Sequence, residues 1–138
     1  MTLMNAIGDL ESTLADLKPA FAGTYVFACV ERIPDGLTPF ATVAESAGIT
    51  VVVKAVEGTE YGLDRSEQFT RISLGVDTSL KAVGITATIA QTLSSRDIPC
   101  NVLAGYYQDH LFVPTQQAEE AVRILENLRQ QARGWLPR

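Results

Sequence analysis

The segment Asp77-Thr78-Ser79-Leu80 stands directly before a helix-forming run, and its residue types suit the handling of a small charged group. A helix start presents unpaired backbone N–H groups and a partial positive charge, which favour a carboxylate or similar anion. Thr78 and Ser79 add hydroxyl donors. The same residues also serve as ordinary helix caps, and the two roles are compatible. Val83, Gly84 and Ile85 follow inside the helix pattern. A glycine there costs roughly 1 kcal/mol against alanine, so something approaches the backbone at Gly84, either a ligand or a packed strand.

Other reactive residues form no constellation. Tyr106, Tyr107, Asp109 and His110 surround a hairpin turn, and a histidine beside an acid suggests proton transfer. No nucleophile stands at a recognisable spacing and no third group orients the ring, so these residues read as a structural hairpin or a contact between halves. Ser73 and Ser94-Ser95 lack the glycines of a nucleophile elbow, and no Gly-x-Gly-x-x-Gly or Walker pattern cradles a phosphate. With one histidine and two unclustered cysteines, a zinc site is not expected. No catalytic residue, metal or cofactor is assigned.

The formal net charge of −5 makes a poor general partner for nucleic acid or an anionic membrane. Basic residues concentrate at Arg123, Arg129, Arg133 and Arg138, where Glu126 interrupts them, and read as a solvated helix face. The first seventeen residues carry Asp9, Glu11 and Asp16, which is unlike a signal peptide. No window approaches the roughly 20 apolar residues of a membrane span. The expectation is a cytoplasmic protein whose Cys29 and Cys100 are free, buried thiols.

These residues need a scaffold, and the chain supplies two unequal halves, expected at 1–66 and 67–138. Leu3, Ile7, Leu10, Leu14 and Leu17 form a helical stripe that Pro19 stops. Residues 24–31 read as a strand covered on both faces. Pro34-Asp35-Gly36 is a turn. Residues 40–47 are helix-compatible with Gly48 as a C-cap, 49–56 form a second strand, and 57–68 a polar loop. The second half reads as strand 69–76, helix 79–95 and a hairpin of 101–106 with 111–113. A last helix follows, capped by Thr115, with Ala118, Ala121, Val122, Leu125 and Leu128 inward. That order is most of βαββαβ, the ferredoxin-like unit of an α+β protein with antiparallel sheets. It lacks its last strand, and the first half lacks its first. The complementary deficits predict shared or exchanged edge strands, in one eight-strand-like surface or two abutting sheets.

Several blocks carry a family resemblance: Gly23-Thr-Tyr-Val-Phe27, Phe69-Thr-Arg-Ile-Ser-Leu74, Thr78-Ser-Leu-Lys-Ala-Val-Gly-Ile-Thr-Ala87, Ile98-Pro-Cys-Asn-Val102 and Gly105-Tyr-Tyr-Gln-Asp-His-Leu-Phe-Val-Pro114. The chain resembles, from about Leu10 to Leu128, the small bacterial proteins with paired ACT-like domains, first catalogued as a domain of unknown function. It departs from them at Gln108 and Asp77, where histidine or a similar residue is usual, and so weakens any reading that needs a histidine pair for a metal. The resemblance implies a non-catalytic regulatory or sensor module that pairs side by side as a homodimer and holds an amino-acid-like small molecule. By the same resemblance, related amino-acid-regulated kinases and arginine sensors use paired ACT-like domains in this way. The implied ligand contacts are the loop after the first strand and the start of the second. Here these are Asp77, Thr78, Ser79, Leu80, Val83, Gly84 and Ile85, with Cys100, Asn101 and Val102. Asp77 would pair with an α-amino group. Strand alternation puts Asn101 opposite Cys100, Val102 and Ala104, as a ligand contact or an edge hydrogen bond. A regulated partner protein would complete the system. The alternatives are a ligand-free interaction module and, last, an enzyme, which would need a cleft joining His110 to Asp109 and a hydroxyl.

Overall fold

Runs of β-branched and aromatic residues favour extended backbone where they alternate over a half-buried surface. Six such runs form strands in the computed structural model, which describes residues 10–77 and 84–136. They are β1 (Ala20–Val30), β2 (Ala41–Glu45), β3 (Gly48–Lys54), β4 (Phe69–Ser73), β5 (Asn101–Ala104) and β6 (Asp109–Pro114). The helices are α1 (described over residues 10–15), α2 (Ala55–Glu60), α3 (Ile85–Ser94) and α4 (Ala118–Trp135). The strands make one antiparallel sheet in the order β2-β3-β1-β4-β6-β5.

The order explains how two incomplete units make one fold. In each half the first strand lies beside the third, and beside the first strand of the other half. β1 thus fills the fourth-strand slot of the second unit, and β4 fills that slot in the first. Both halves lack their last strand, which corrects the reading that the first half lacks its first. The shared sheet has six strands, not eight.

Sequence alternation assigns the two faces. Val26, Ala28, Val51 and Val53 share a face with Ile72, Leu111 and Val113, because Thr24 stands opposite Thr70 across the β1–β4 seam. Helices cover this face. The larger core there joins Leu14, Ile72, Ile89, Leu111 and Leu125, and a smaller one joins Val26, Val51 and Val53 under α2. Tyr25, Val52 and Phe112 occupy the other face, where no described helix packs. They are buried by one another and by Phe27, Phe69 and Phe40, whose rings meet edge-on at 5.3–5.8 Å.

Several local expectations change. Residues 40–47 are not helical: β2 pairs with β3 in a hairpin, since Thr42 and Val43 are well suited to an exposed edge strand. Gly48 opens β3 at φ +147° rather than capping a helix. Residues 55–60, read as the end of a strand and the start of a loop, form α2, and Gly58 marks close packing: a Cβ there would lie 2.8 Å from Val26 Cγ2. Thr115 lies in a 3-10 turn before α4 and makes no cap bond; its hydroxyl accepts one from Thr70 at 3.2 Å. Both cysteines are free, but Cys29 is exposed on the helix-free face and only Cys100 is partly buried. The basic tail is not merely solvated. Arg133 Nε donates to the Ala15 carbonyl at 3.0 Å and Arg129 Nη1 to that of Leu17 at 3.5 Å, so two cations one turn apart hold the end of α1. Arg138 and the first part of the N-terminal stripe lie outside the described residues.

Candidate functional site

Asp77 leaves the end of β4 at the rim of a 510 Å³ cleft. The cleft is lined by Thr13, Asp16 and Lys18 from the exit of α1, by Gly75 and Asp77, and by Arg133 of α4. Local backbone bonds build it. Lys18 N–H donates to the Leu74 carbonyl at 2.7 Å, stitching the α1 exit to β4. Gly75 turns the chain at φ +70°, and a Cβ there would meet Lys18 Cβ at 2.7 Å. Only glycine combines that conformation with that approach. The result is a small polar recess carrying two carboxylates, Asp16 and Asp77, and two cations, Lys18 and Arg133. Gln108 Nε2 in the β5–β6 hairpin donates to Asp77 Oδ1 at 3.5 Å.

The helix beyond Asp77 differs from expectation. Thr78, Ser79, Leu80 and Val83 lie outside the described residues. The described α3 starts at Ile85, with Gly84 as its N-cap at φ +88° and no side-chain cap bond, so Asp77 does not cap it. Gly84 is therefore a left-handed terminus, not an interior glycine. What approaches it is Leu10 of α1, whose Cδ2 would sit 3.2 Å from an added Cβ. Ile85 points into the helix-side core at 3% exposure.

The second-strand residues stand elsewhere. Asn101 is level with Phe112 and hence with Arg71 in the middle of β4, whereas Asp77 lies beyond its end. Asn101 lines a separate 630 Å³ cleft with Arg65, Phe69, Thr115 and Gln116. Cys100 and Val102 face the helix-side core, as alternation requires. Burial pushes the Cys100 thiol up to about 11. The cleft lined by Asp77 and the cleft lined by Asn101 are separate, and Gly84 lines neither.

His110 and Asp109 are neighbours on β6 and so point to opposite faces. Asp109 accepts a short hydrogen bond from Thr86 Oγ1 on the helix side, while the Nδ1 of His110 meets Arg71 Nη1 at 3.2 Å on the other. The catalytic arrangement that would join His110, Asp109 and a hydroxyl in one cleft is thus not formed. Among the described residues no group of three His, Cys, Asp or Glu side chains could hold a metal, and no helix is long and apolar enough to cross a membrane.

Of the residues that line this cleft, the sequence singled out Asp77 and not Thr13, Asp16, Lys18 or Arg133. The available signal was Arg129 and Arg133 at i, i+4, a spacing that puts both on one helix face; nothing in the sequence says that this face meets α1.

Two ACT-domain family models match, one over residues 5–70 and one over 66–127. A Vibrio cholerae protein of unknown function, titled a possible transport protein, is 37% identical over 90% of this chain and 98% of its own, with a TM-score of 0.77. The chain belongs to the ACT-domain family. Its tandem ACT arrangement recurs in the fold of an Agrobacterium tumefaciens protein at 19% identity, with 82% and 89% coverage and a TM-score of 0.65. The ligand-free regulatory subunit of aspartate kinase from Thermus thermophilus shares the ACT fold at 15% identity, with 80% and 95% coverage and a TM-score of 0.54. No curated protein matches the chain.

Proposed function

We propose that this ACT protein is a non-catalytic regulatory module that binds a small molecule, and that the molecule is an amino acid held at the Asp77 cleft. One observation carries the reading: the cleft sets carboxylates (Asp16, Asp77) and cations (Lys18, Arg133) around one recess of 510 Å³. A zwitterion needs both signs a few ångströms apart, its ammonium facing a carboxylate and its carboxylate a guanidinium or ammonium. Membership of the ACT family and a fold shared with an aspartate kinase regulatory subunit support the same reading. Asp77 supplies the β4 side of the site, with Thr78, Ser79, Leu80 and Val83 next in the chain as further ligand contacts; Gly84 and Ile85 hold the start of α3 against the core behind it. Asn101, which lines a separate cleft, contributes through a second copy of the chain in a dimer, with Cys100 and Val102 on either side of it packing behind it. The halves 1–66 and 67–138 act as one cytoplasmic unit that regulates a partner protein or reports through its own assembly.

The test is a thermal-shift screen with each proteinogenic amino acid at millimolar concentration. Binding to the native state alone raises the melting temperature; at least one amino acid should do so, and less in Asp77→Ala. A flat screen overturns the reading. The exposed hairpin tip, with Tyr106 and Tyr107 at 74% and 70% exposure, favours a second reading, a ligand-free interaction module. A constitutive dimer by mass measurement, indifferent to every amino acid, would select it.

A further inference from the structure

The helix-free face carries an arginine that has no counter-ion among the described residues. Arg71 sits on β4, in register with Phe112 of β6. Its guanidinium carbon lies 4.8 Å from the Phe40 ring centre and 5.7 Å from that of Tyr25. Its Nη1 donates to His110 Nδ1 at 3.2 Å, which places the imidazole proton on Nε2. Burial and the Arg71 charge hold His110 below the usual histidine range, while Asp109 opposes them. The ring next to Arg71 is therefore neutral at pH 7 and offers no negative charge.

The rest of the guanidinium is unanswered. Arg71 Nε is buried and has no hydrogen-bond partner, and Arg71 makes no ion pair among the described residues. Arg32 and Arg96 meet carboxylates and Arg133 a carbonyl; Arg129 Nε is also buried without a partner, but its Nη1 bonds the Leu17 carbonyl on the helix side, whereas Arg71 stands among aromatic rings. Around Arg71 the charged groups do not compensate. Lys54 shares the face and is a cation. Glu45 stands at the far end of β2, bonded to Thr50. Asp109 points to the helix side and binds Thr86. Desolvating a guanidinium edge without an acceptor is unfavourable. Stacking on Phe40 and Tyr25 offsets part of that cost, but rings accept no N–H bond in the guanidinium plane.

We propose that this face is a binding site for an organic carboxylate, received by the Nε–Nη2 edge of Arg71, with its apolar body against Phe40, Tyr25 and Phe112. A carboxylate matches that planar edge with two parallel bonds. The guanidinium, with Lys54 on the same face, balances a negative charge, and the walls directly around Arg71 are carbon. A phosphate, carrying more charge and more bound water, would leave both unsatisfied. Phe40 is the ring that moves to admit the ligand. It is 38% exposed, it precedes β2, and it packs edge-on against Tyr25 and Phe112 at 5.4 and 5.8 Å. This site is separate from the Asp77 cleft and does not depend on it.

His110, the single histidine, reports on the site. Benzoate serves as the probe and is titrated at constant ionic strength against chloride, with the ring followed by NMR. An anion on Arg71 offsets its charge, so benzoate should raise the His110 titration midpoint saturably. Arg71→Gln should weaken the apparent affinity about tenfold or more, the loss of one charge-assisted bond pair. If Arg71→Gln fails to fold, Arg71→Lys decides, since it keeps the charge and loses the fork. A drift matching chloride, or a folded Arg71 variant that binds like the wild type, overturns the proposal. Inorganic phosphate acting as strongly as benzoate overturns its choice of an organic carboxylate.

Discussion

The two halves begin alike and are covered differently. Each contributes a first strand at the centre of the sheet and a hairpin partner outside it. In the second half a helix, α3, joins the first strand to the second, and α4 returns over the face. With α1 they bury Ile72, Ile89, Leu111, Leu125 and thirteen other described side chains in one core. In the first half the connection from Val30 to Ala41 contains no helix, and the short α2 covers a cluster of five buried residues. Burial of apolar area is the main favourable term in folding. The comparison therefore teaches that the second half supplies most of the stability, and that the first is held to it through the β1–β4 seam.

The comparison can be broken most easily in the cores. Leu125→Ala removes a fully buried side chain between α4 and the sheet and should cost about 2–5 kcal/mol in denaturant unfolding. Val51→Ala, in the smaller cluster, should cost about 1.6 kcal/mol, the transfer value of two methylenes. Equal losses would contradict the unequal division. At the seam between α1 and β4, Gly75→Ala forces a left-handed residue against Lys18 and should cost roughly 1–3 kcal/mol. It should also distort the Asp77 cleft, so any amino-acid response should fall with it.

Smaller effects sharpen the account. Arg133→Ala removes a charged donor from the end of α1 and should cost about 1 kcal/mol, with faster amide exchange in residues 10–17 than elsewhere. His110 sets an acid limit. Its folded pKa lies below the unfolded value near 6.5, so the unfolded chain binds the proton first as pH falls. Stability should be level above that value for this group and decline below it, and His110→Gln should flatten the slope. For the thiols, exposed Cys29 should react first with an alkylating reagent at pH 8, and Cys100, still protonated there, should lag until the protein is unfolded.

The sequence made the second half legible because its elements keep clear periods: alternation through Phe69–Ser73 and an apolar stripe along Ala118–Trp135. The first half was harder for a physical reason. An exposed edge strand such as Ala41–Glu45 buries almost nothing, so it needs no strict pattern, and alanines at 41, 44 and 47 imitate a helix. The six residues of α2 are too few to show a stripe, and its Gly58 reads as a breaker although it is a packing contact. A shared sheet was one of two arrangements expected, but for a reason that does not hold, since both halves lack the same last strand; the expected eight strands assumed a full set of four in each half. Of the candidate site, Asp77 was legible as a polar residue after a strand. Asp16, Lys18 and Arg133 were not, because they reach the same recess from segments more than a hundred residues apart. Arg71 was hidden for the same reason: its lack of a counter-ion among the described residues is a property of the whole face.

An amide chemical-shift map of the full chain decides whether an amino acid binds in the Asp77 cleft. Each proteinogenic amino acid would be titrated to millimolar concentration. The account predicts saturable shifts for at least one of them, centred on residues 13–18, 75–77 and 133. No saturable shift with any amino acid, or shifts confined to the cleft around Arg65, Asn101 and Gln116, would contradict it.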